Sequence, residues 1–343
     1  MNLNQLISLT ILWLFRLLSK LIPFDFVKKM NKGKIILPFY HSICDQELKH
    51  IKHLYPIKSV REFEKDLDFL LKHYHPVLLT EKLSLDSNLK DQFLLSFDDG
   101  LKECYEIILP ILLKKNLKAI FFINTGFLDN KALFYRFKIS LIWEKILTDG
   151  LNPQQFGEIT KQFNLENYRE IENYLFSINW SNQHLLEPLA SIINLDFEDY
   201  LKNSKPYLSS TQLEEMQELG FIIGGHSHTH PLYAKIDEQT RMNETEKCME
   251  ELEGYRNEFS VFSFPFSDHG IGTDQLLQMK EQAKLNYLFG SAGIRDEINL
   301  FHLQRIPMEK RTVEARSILC FQLLKYKFLS ILGKNIVRRS QWN

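Results

Sequence analysis

The 343 residues are 44% hydrophobic and 25% charged, with 26 Phe and 13 Tyr, a composition that argues for a folded chain with an aromatic-rich core and against disorder. The net charge of −1 conceals a partition: residues 1–34 carry six Lys/Arg against one acid, residues 316–343 six against none, and the stretch between them 30 against 42. An acidic middle makes nucleic acid an unsuitable main partner, and four scattered cysteines without a C-x-x-C pair argue against a zinc knuckle or a disulfide framework.

At the N-terminus Leu3, Leu6, Ile7, Ile11, Leu14, Leu18 and Leu21 recur at helical spacing beside Trp13, and Lys28, Lys29, Lys32 and Lys34 come next. Ser8, Thr10, Arg16, Ser19 and Lys20 interrupt the run, so neither a clean span nor a cleaved signal fits. The pattern suits a helix lying in a membrane interface; the alternatives are packing on the protein's own surface and an uncleaved anchor. Apolar runs then alternate with amphipathic stretches, as in a parallel sheet or barrel wrapped by helices. Strands are expected at Ile35–Tyr40, Phe93–Phe97, Lys118–Ile123, Gly220–Ile223 and Val261–Phe264, and helices at Val60–Tyr74, Leu101–Lys115, Asp237–Arg256 and Thr312–Leu332. Residues 131–206 read as a helical insertion, too long for one crossover. The expected division is a membrane-associating helix over 1–34, a barrel over 35–315, and a basic C-terminal helix and tail over 316–343.

Two segments carry the chemistry. In Ser96-Phe97-Asp98-Asp99-Gly100 adjacent carboxylates leave an apolar strand; one can bind a cation while the other takes a proton from water. Gly225-His226-Ser227-His228-Thr229-His230-Pro231 packs three imidazoles into five residues. His226 and His230 would share a face if the segment coiled into a helical turn, leaving His228 to point elsewhere. Two histidines and one carboxylate leave a coordination position open, as a hydrolytic zinc site requires. Each of these residues sits just after an expected strand, where barrel enzymes gather their chemistry.

These paired motifs resemble the polysaccharide deacetylase family (carbohydrate esterase family 4, the NodB homology domain), which carries T-F-D-D-G after one strand and H-S/T-x-x-H after another. The resemblance covers about residues 35–310 apart from the insertion. It implies a distorted (β/α) barrel, Asp98 as catalytic base, and Asp99, His226 and His230 as ligands of a divalent metal, Zn2+ before others. Phe264-Pro265-Phe266 resembles the family's third segment, which gives the Phe266 N–H an oxyanion-holding role, although no arginine precedes Pro265 at the usual place. Arg305, in Gln304-Arg305-Ile306-Pro307, is a candidate to orient Asp98 instead. Phe39-Tyr40-His41-Ser42 resembles a segment of the poly-N-acetylglucosamine deacetylases and makes His41 the candidate general acid, with His302 and His269 as rivals; His50, His53, His73, His75 and His184 read as surface residues.

The implied activity is metal-dependent removal of N-acetyl groups from amino sugars of a cell-surface polysaccharide or lipid-linked glycan. A catalytically inactive glycan-binding protein and a metal hydrolase of a non-sugar amide are the alternatives. The basic, amphipathic ends point to a peripheral position on the cytoplasmic side of a bacterial inner membrane, or else to an anchor with the domain outside.

Overall fold

The computed structural model describes residues 15, 17–78, 91–255, 259–310 and 312–339. Eight parallel strands form one sheet: β1 (Pro38–Tyr40), β2 (Leu95–Phe97), β3 (Ala119–Ile123), β4 (Ile222–Gly225), β5 (Val261–Ser263), β6 (Tyr287–Gly290), β7 (His302–Gln304) and β8 (Ile306–Pro307), ordered β8-β1-β2-β3-β4-β5-β6-β7. β2 and β3 are buried at every position, as parallel strands covered on both faces must be. The edges meet through one residue: Arg305 N donates to Gly290 O of β6 at 3.1 Å, and the next amide, Ile306 N, donates to Leu37 O beside β1 at 2.7 Å. The sheet thus closes into a distorted (β/α) barrel.

Its lower interior is filled by Leu37, Leu94, Ile120, Phe122, Val261 and Phe289, while Tyr40, Phe97, Phe121 and Ile123 face the surrounding helices. The helix Val60–His73 begins with a Ser59/Glu62 capping box and presents Phe63, Leu67 and Leu70 to the barrel. The expected Leu101–Lys115 helix departs from regularity, with a π-turn at Cys104–Ile108 running into Leu109–Lys114 and Pro110 near the junction. The expected Phe93–Phe97 strand is split, because Gln92–Phe93 pairs with His75–Pro76 in a small separate ladder while Leu95–Phe97 joins the barrel.

Residues 131–206 contain five α-helices, from Tyr135–Asp149 to Phe197–Ser204, with an apolar core that includes Phe137, Ile142, Ile159, Ile171 and Leu186. His50 is not a surface residue: it is buried beneath this region, its Nδ1 is 2.8 Å from Tyr200 Oη, and burial pushes its pKa down to about 3.

The C-terminal helix Ala315–Ile331 packs on Val60–His73 and on Phe24–Met30. Arg316 joins the two ends of the chain by donating to the Ser19 and Ile22 carbonyls at 3.2 and 2.8 Å. The apolar positions from Leu3 to Leu14, Trp13 among them, lie outside the described residues, where Leu17 and Leu21 are exposed. Among the described residues no helix is long and apolar enough to cross a membrane.

Candidate active site

β4 ends on Gly224 and Gly225, and this pair sets how closely the histidine segment approaches the barrel. A Cβ at Gly224 would lie 2.6 Å from Val261 Cγ2, and one at Gly225 would lie 2.6 Å from Met249 Sδ. Only glycine lets the strand pack this closely before His226, whose N–H still donates to Ile123 O at 2.9 Å. The chain then turns through left-handed Ser227 (φ 67°) and His230 (φ 60°), and Ser227 Oγ accepts the His230 N–H at 2.9 Å. The two histidines therefore meet through a loop rather than the helical turn expected from their spacing.

Their Nε2 atoms are 3.2 Å apart, and Asp99 Oδ1 lies 3.2 Å from that of His230 and 3.5 Å from that of His226. Asp99 is itself left-handed (φ 72°), so two of the three clustered residues, and Ser227 between the histidines, sit in sparsely populated backbone conformations, a feature of functional sites. His226 Nδ1 is 2.8 Å from the Ser263 carbonyl. That acceptor fixes the proton on Nδ1 and leaves the Nε2 lone pair facing the cluster. Burial pushes the His226 pKa down to about 4, so the ring is neutral. Asp99 Oδ1 is buried without a hydrogen-bond partner. These three donor atoms converging at a buried point fit a divalent cation, and two imidazoles with one carboxylate are a zinc-type donor set.

Asp98 is 2% exposed and lies beside this cluster, its Oδ2 3.9 Å from His226 Nε2. Arg305, from the hinge between β7 and β8, grips it with two parallel bonds, Nη1 to Oδ1 and Nη2 to Oδ2, each 2.7 Å. The guanidinium also donates to Ser96 Oγ at 3.0 Å and to Ser263 Oγ, and it stacks over the rings of Phe39 and Phe122. Burial works to raise the Asp98 pKa, but above all the charge of Arg305 and its hydrogen bonds hold it below the ordinary carboxylate value.

His41 stands directly after β1. Its Nδ1 pairs with Glu309 Oε2, and Glu309 Oε1 accepts the backbone N–H groups of His41 and of Ser42, the latter at 2.9 Å. Burial alone would lower the His41 pKa, yet Glu309 above all, then Asp99 and Asp98, raise it to about 10. No sequence motif marks Glu309. It stands two residues after β8, a two-residue strand that the sequence does not announce, so no local signal points to it.

Phe266 (φ 58°) sets its ring 4.6 Å from that of His230, and Phe134 from the insertion reaches the same ring at 4.7 Å. The insertion also touches the histidine segment through Trp180 Nε1, which donates to Thr229 Oγ1 at 2.9 Å. His228 turns away, its Nδ1 3.0 Å from Thr125 Oγ1. The two rival acids lie elsewhere: His302 is enclosed with Asp268 and Glu297, and His269 is exposed. That enclosed trio is the second group of donors, among the described residues, close enough to hold a cation.

Fold and site together define a class: a parallel barrel with paired carboxylates and histidines gathered at the carboxyl ends of its strands. The chain belongs to the polysaccharide deacetylase family, whose profile matches residues 86–288, and carbohydrate de-N-acetylation is the activity that membership supports. The fold is similar to that of a Streptococcus pyogenes deacetylase solved in complex with acetate (TM-score 0.53, 16% identity, covering 84% of this chain and 98% of that one). It is similar also to a Bacillus cereus polysaccharide deacetylase (0.51, 14%, 84% and 69%) and to a de-N-acetylase from Aggregatibacter actinomycetemcomitans (0.50, 15%, 84% and 99%). No curated protein matches the chain.

Proposed function

We propose that this chain removes N-acetyl groups from amino sugars of a cell-surface polysaccharide or a lipid-linked glycan, in a metal-dependent hydrolysis. The observation that carries the reading is the convergence of Asp99 Oδ1 and the Nε2 atoms of His226 and His230 beside an Asp98 that its surroundings keep ionised. A divalent cation bound there, zinc by its donors, supplies Lewis acidity towards the acetamide carbonyl and lowers the pKa of water. Asp98 accepts a proton from the attacking water while Arg305 holds its carboxylate in place. The Phe266 N–H donates to the developing oxyanion. His41, charged at neutral pH, protonates the departing nitrogen, and acetate and a free amino sugar leave.

Acetate release from N-acetylglucosamine oligomers and from membrane lipid-linked sugars tests this, with the metal content of the protein measured alongside. Release that stops on chelation and returns with Zn2+ is the expected result. Protein that binds zinc yet releases acetate from no sugar would sink the reading in favour of a glycan-binding protein or a non-sugar amidase.

The role of Glu309 gives a second expectation. In Glu309→Gln the largest influence holding the His41 pKa up is gone, so the ring loses its proton at lower pH and the alkaline limb of kcat/KM moves down. A pH–rate profile checks this; an alkaline limb unmoved by the substitution would show that the limb belongs to another group.

We place the chain on the cytoplasmic face of a bacterial membrane, where a lipid-linked substrate is within reach. Leu17, Leu21 and Phe26 near one end and Ile331 and Leu332 near the other are exposed among the lysines of the basic termini, and the two ends pack together. Apolar side chains ringed by cations suit an anionic lipid surface.

A further inference from the structure

A second enclosed group of charges lies beside the loop that carries Phe266, and an arginine from the far end of the chain is seated in it. Arg339 Nη2 contacts the Asp268 carboxylate and, at 2.6 Å, Glu297 Oε1; its Nε reaches Glu297 Oε2 at 3.3 Å. Its Nη1 donates to the carbonyls of Asp268 and Ile271, both at 3.1 Å. The side chain is only 5% exposed. Gln304 Nε2 bridges the same two carboxylates at 2.6 and 2.7 Å. Gly290 permits the closure, since a Cβ there would stand 2.5 Å from both Asp268 Cγ and Gln304 Nε2.

Asp268, Glu297 and His302 have the chemistry of a cation site, but the guanidinium already supplies the positive charge between the two acids. The arrangement is therefore a clamp. Arg339 reaches it along a strap that leaves the C-terminal helix: Asn335 O accepts from Asp296 N at 3.0 Å and Val337 N donates to Asp296 O at 2.9 Å. Lys34 and Tyr326 hold the Asp296 carboxylate from the other side.

The clamp grips the segment 265–272. Phe266 stands in a left-handed conformation with its ring against His230, and Ser291 Oγ donates to its carbonyl at 3.0 Å. A non-glycine residue persists there only when its surroundings over-determine it. On the other flank Gln304 immediately precedes Arg305, which holds Asp98. We propose that Arg339 is a positioning residue, tying the Phe266 loop and the β7–β8 hinge to the C-terminal strap so that the Phe266 N–H and ring stay in register with His230. The catalytic consequence rests on the deacetylase reading above; the tethering does not.

The test compares the full chain with Arg339→Gln, Arg339→Lys and, as a control, Arg316→Ala, which loses its bonds to the Ser19 and Ile22 carbonyls instead. Steady-state acetate release and amide hydrogen exchange are measured on each. Expected for Arg339→Gln is a fall in kcat of about 10- to 100-fold with KM nearly unchanged, and faster exchange confined to 265–272 while 119–123 stays protected. Arg339→Lys should recover part of the loss, and Arg316→Ala should keep kcat. Wild-type kcat in Arg339→Gln, or exchange accelerated evenly through the barrel, would overturn the proposal. Should the wild type itself release no acetate, the deacetylase reading fails, and the exchange of 265–272 alone decides the clamp: if it is unchanged in Arg339→Gln, the clamp falls too.

Discussion

Asp98→Asn is expected to lower kcat for acetate release by about 10²- to 10⁴-fold, the span that a positioned general base contributes, while bound zinc stays at the wild-type level. The two halves separate because neighbouring residues do different work. Asp99 shares its Oδ1 with the histidine cluster, whereas both oxygens of Asp98 are engaged by Arg305. Asparagine keeps the shape but has no basic carboxylate. It also turns an NH2 towards one of two guanidinium donors, leaving Arg305 buried without a counter-ion, which costs up to about 3–5 kcal/mol in stability. Rates should therefore be compared below the variant's melting temperature. A variant with half the wild-type kcat or more would remove Asp98 from the base's role; one that has lost its zinc would make Asp98 a ligand.

Leu95–Phe97 and Ala119–Ile123 lie within the apolar runs that suggest them, whereas His302–Gln304 and Ile306–Pro307, which flank Arg305, are too short and mixed in polarity to be read from the sequence. The geometry joining His226 to His230 is not legible. Spacing i, i+4 suggests a helical turn, and only the left-handed conformations of Ser227 and His230 show that a loop makes the same meeting. The split of Phe93–Phe97 is hidden because both fates, barrel strand and small ladder, bury the same apolar side chains. His50 reads as a surface residue since its burial comes from the insertion, whose Phe137 and Tyr200 pack on it from more than 80 residues away, and nothing local announces it. Glu309 and Arg339 escape notice for a related reason: an isolated acid near a strand end and an arginine in a basic tail look solvated until the fold supplies their partners. Arg305 stands out only through the missing arginine before Pro265, and its grip on Asp98 comes from the β7–β8 hinge where the two edges of the sheet meet.

The bidentate grip of Arg305 on Asp98 makes Arg305→Met the other large expected effect. The side chain is 1% exposed and joins Ser96 of β2, Asp98 just after it and Ser263 of β5 at the residue where the barrel closes. Removing one partner of a buried pair costs about 3–5 kcal/mol, and methionine keeps contact with Phe39 and Phe122 but satisfies no acceptor. The consequence depends on pH in a defined direction. In the wild type the Asp98 pKa is held below its unfolded value, so its contribution to stability is present above the ordinary carboxylate range and is lost as pH falls through the folded pKa. Without Arg305, burial, which already acts to raise that pKa, meets only the weaker pull of the charged His41, so the shift reverses and the folded variant favours the protonated acid. The gap in stability between wild type and variant should thus be widest near neutrality and narrow as pH falls below about 4. The acid limb of kcat/KM should move upward in the same protein, since the base is now protonated at higher pH. Urea unfolding at several pH values, paired with a pH–rate profile, reads both. A stability gap independent of pH would mean that Arg305 acts through packing and hinge closure alone, with no bearing on the charge of Asp98. Arg305→Lys separates the charge from the fork: it keeps a cation near Asp98 but cannot span both oxygens, so it should restore much of the stability and little of the rate.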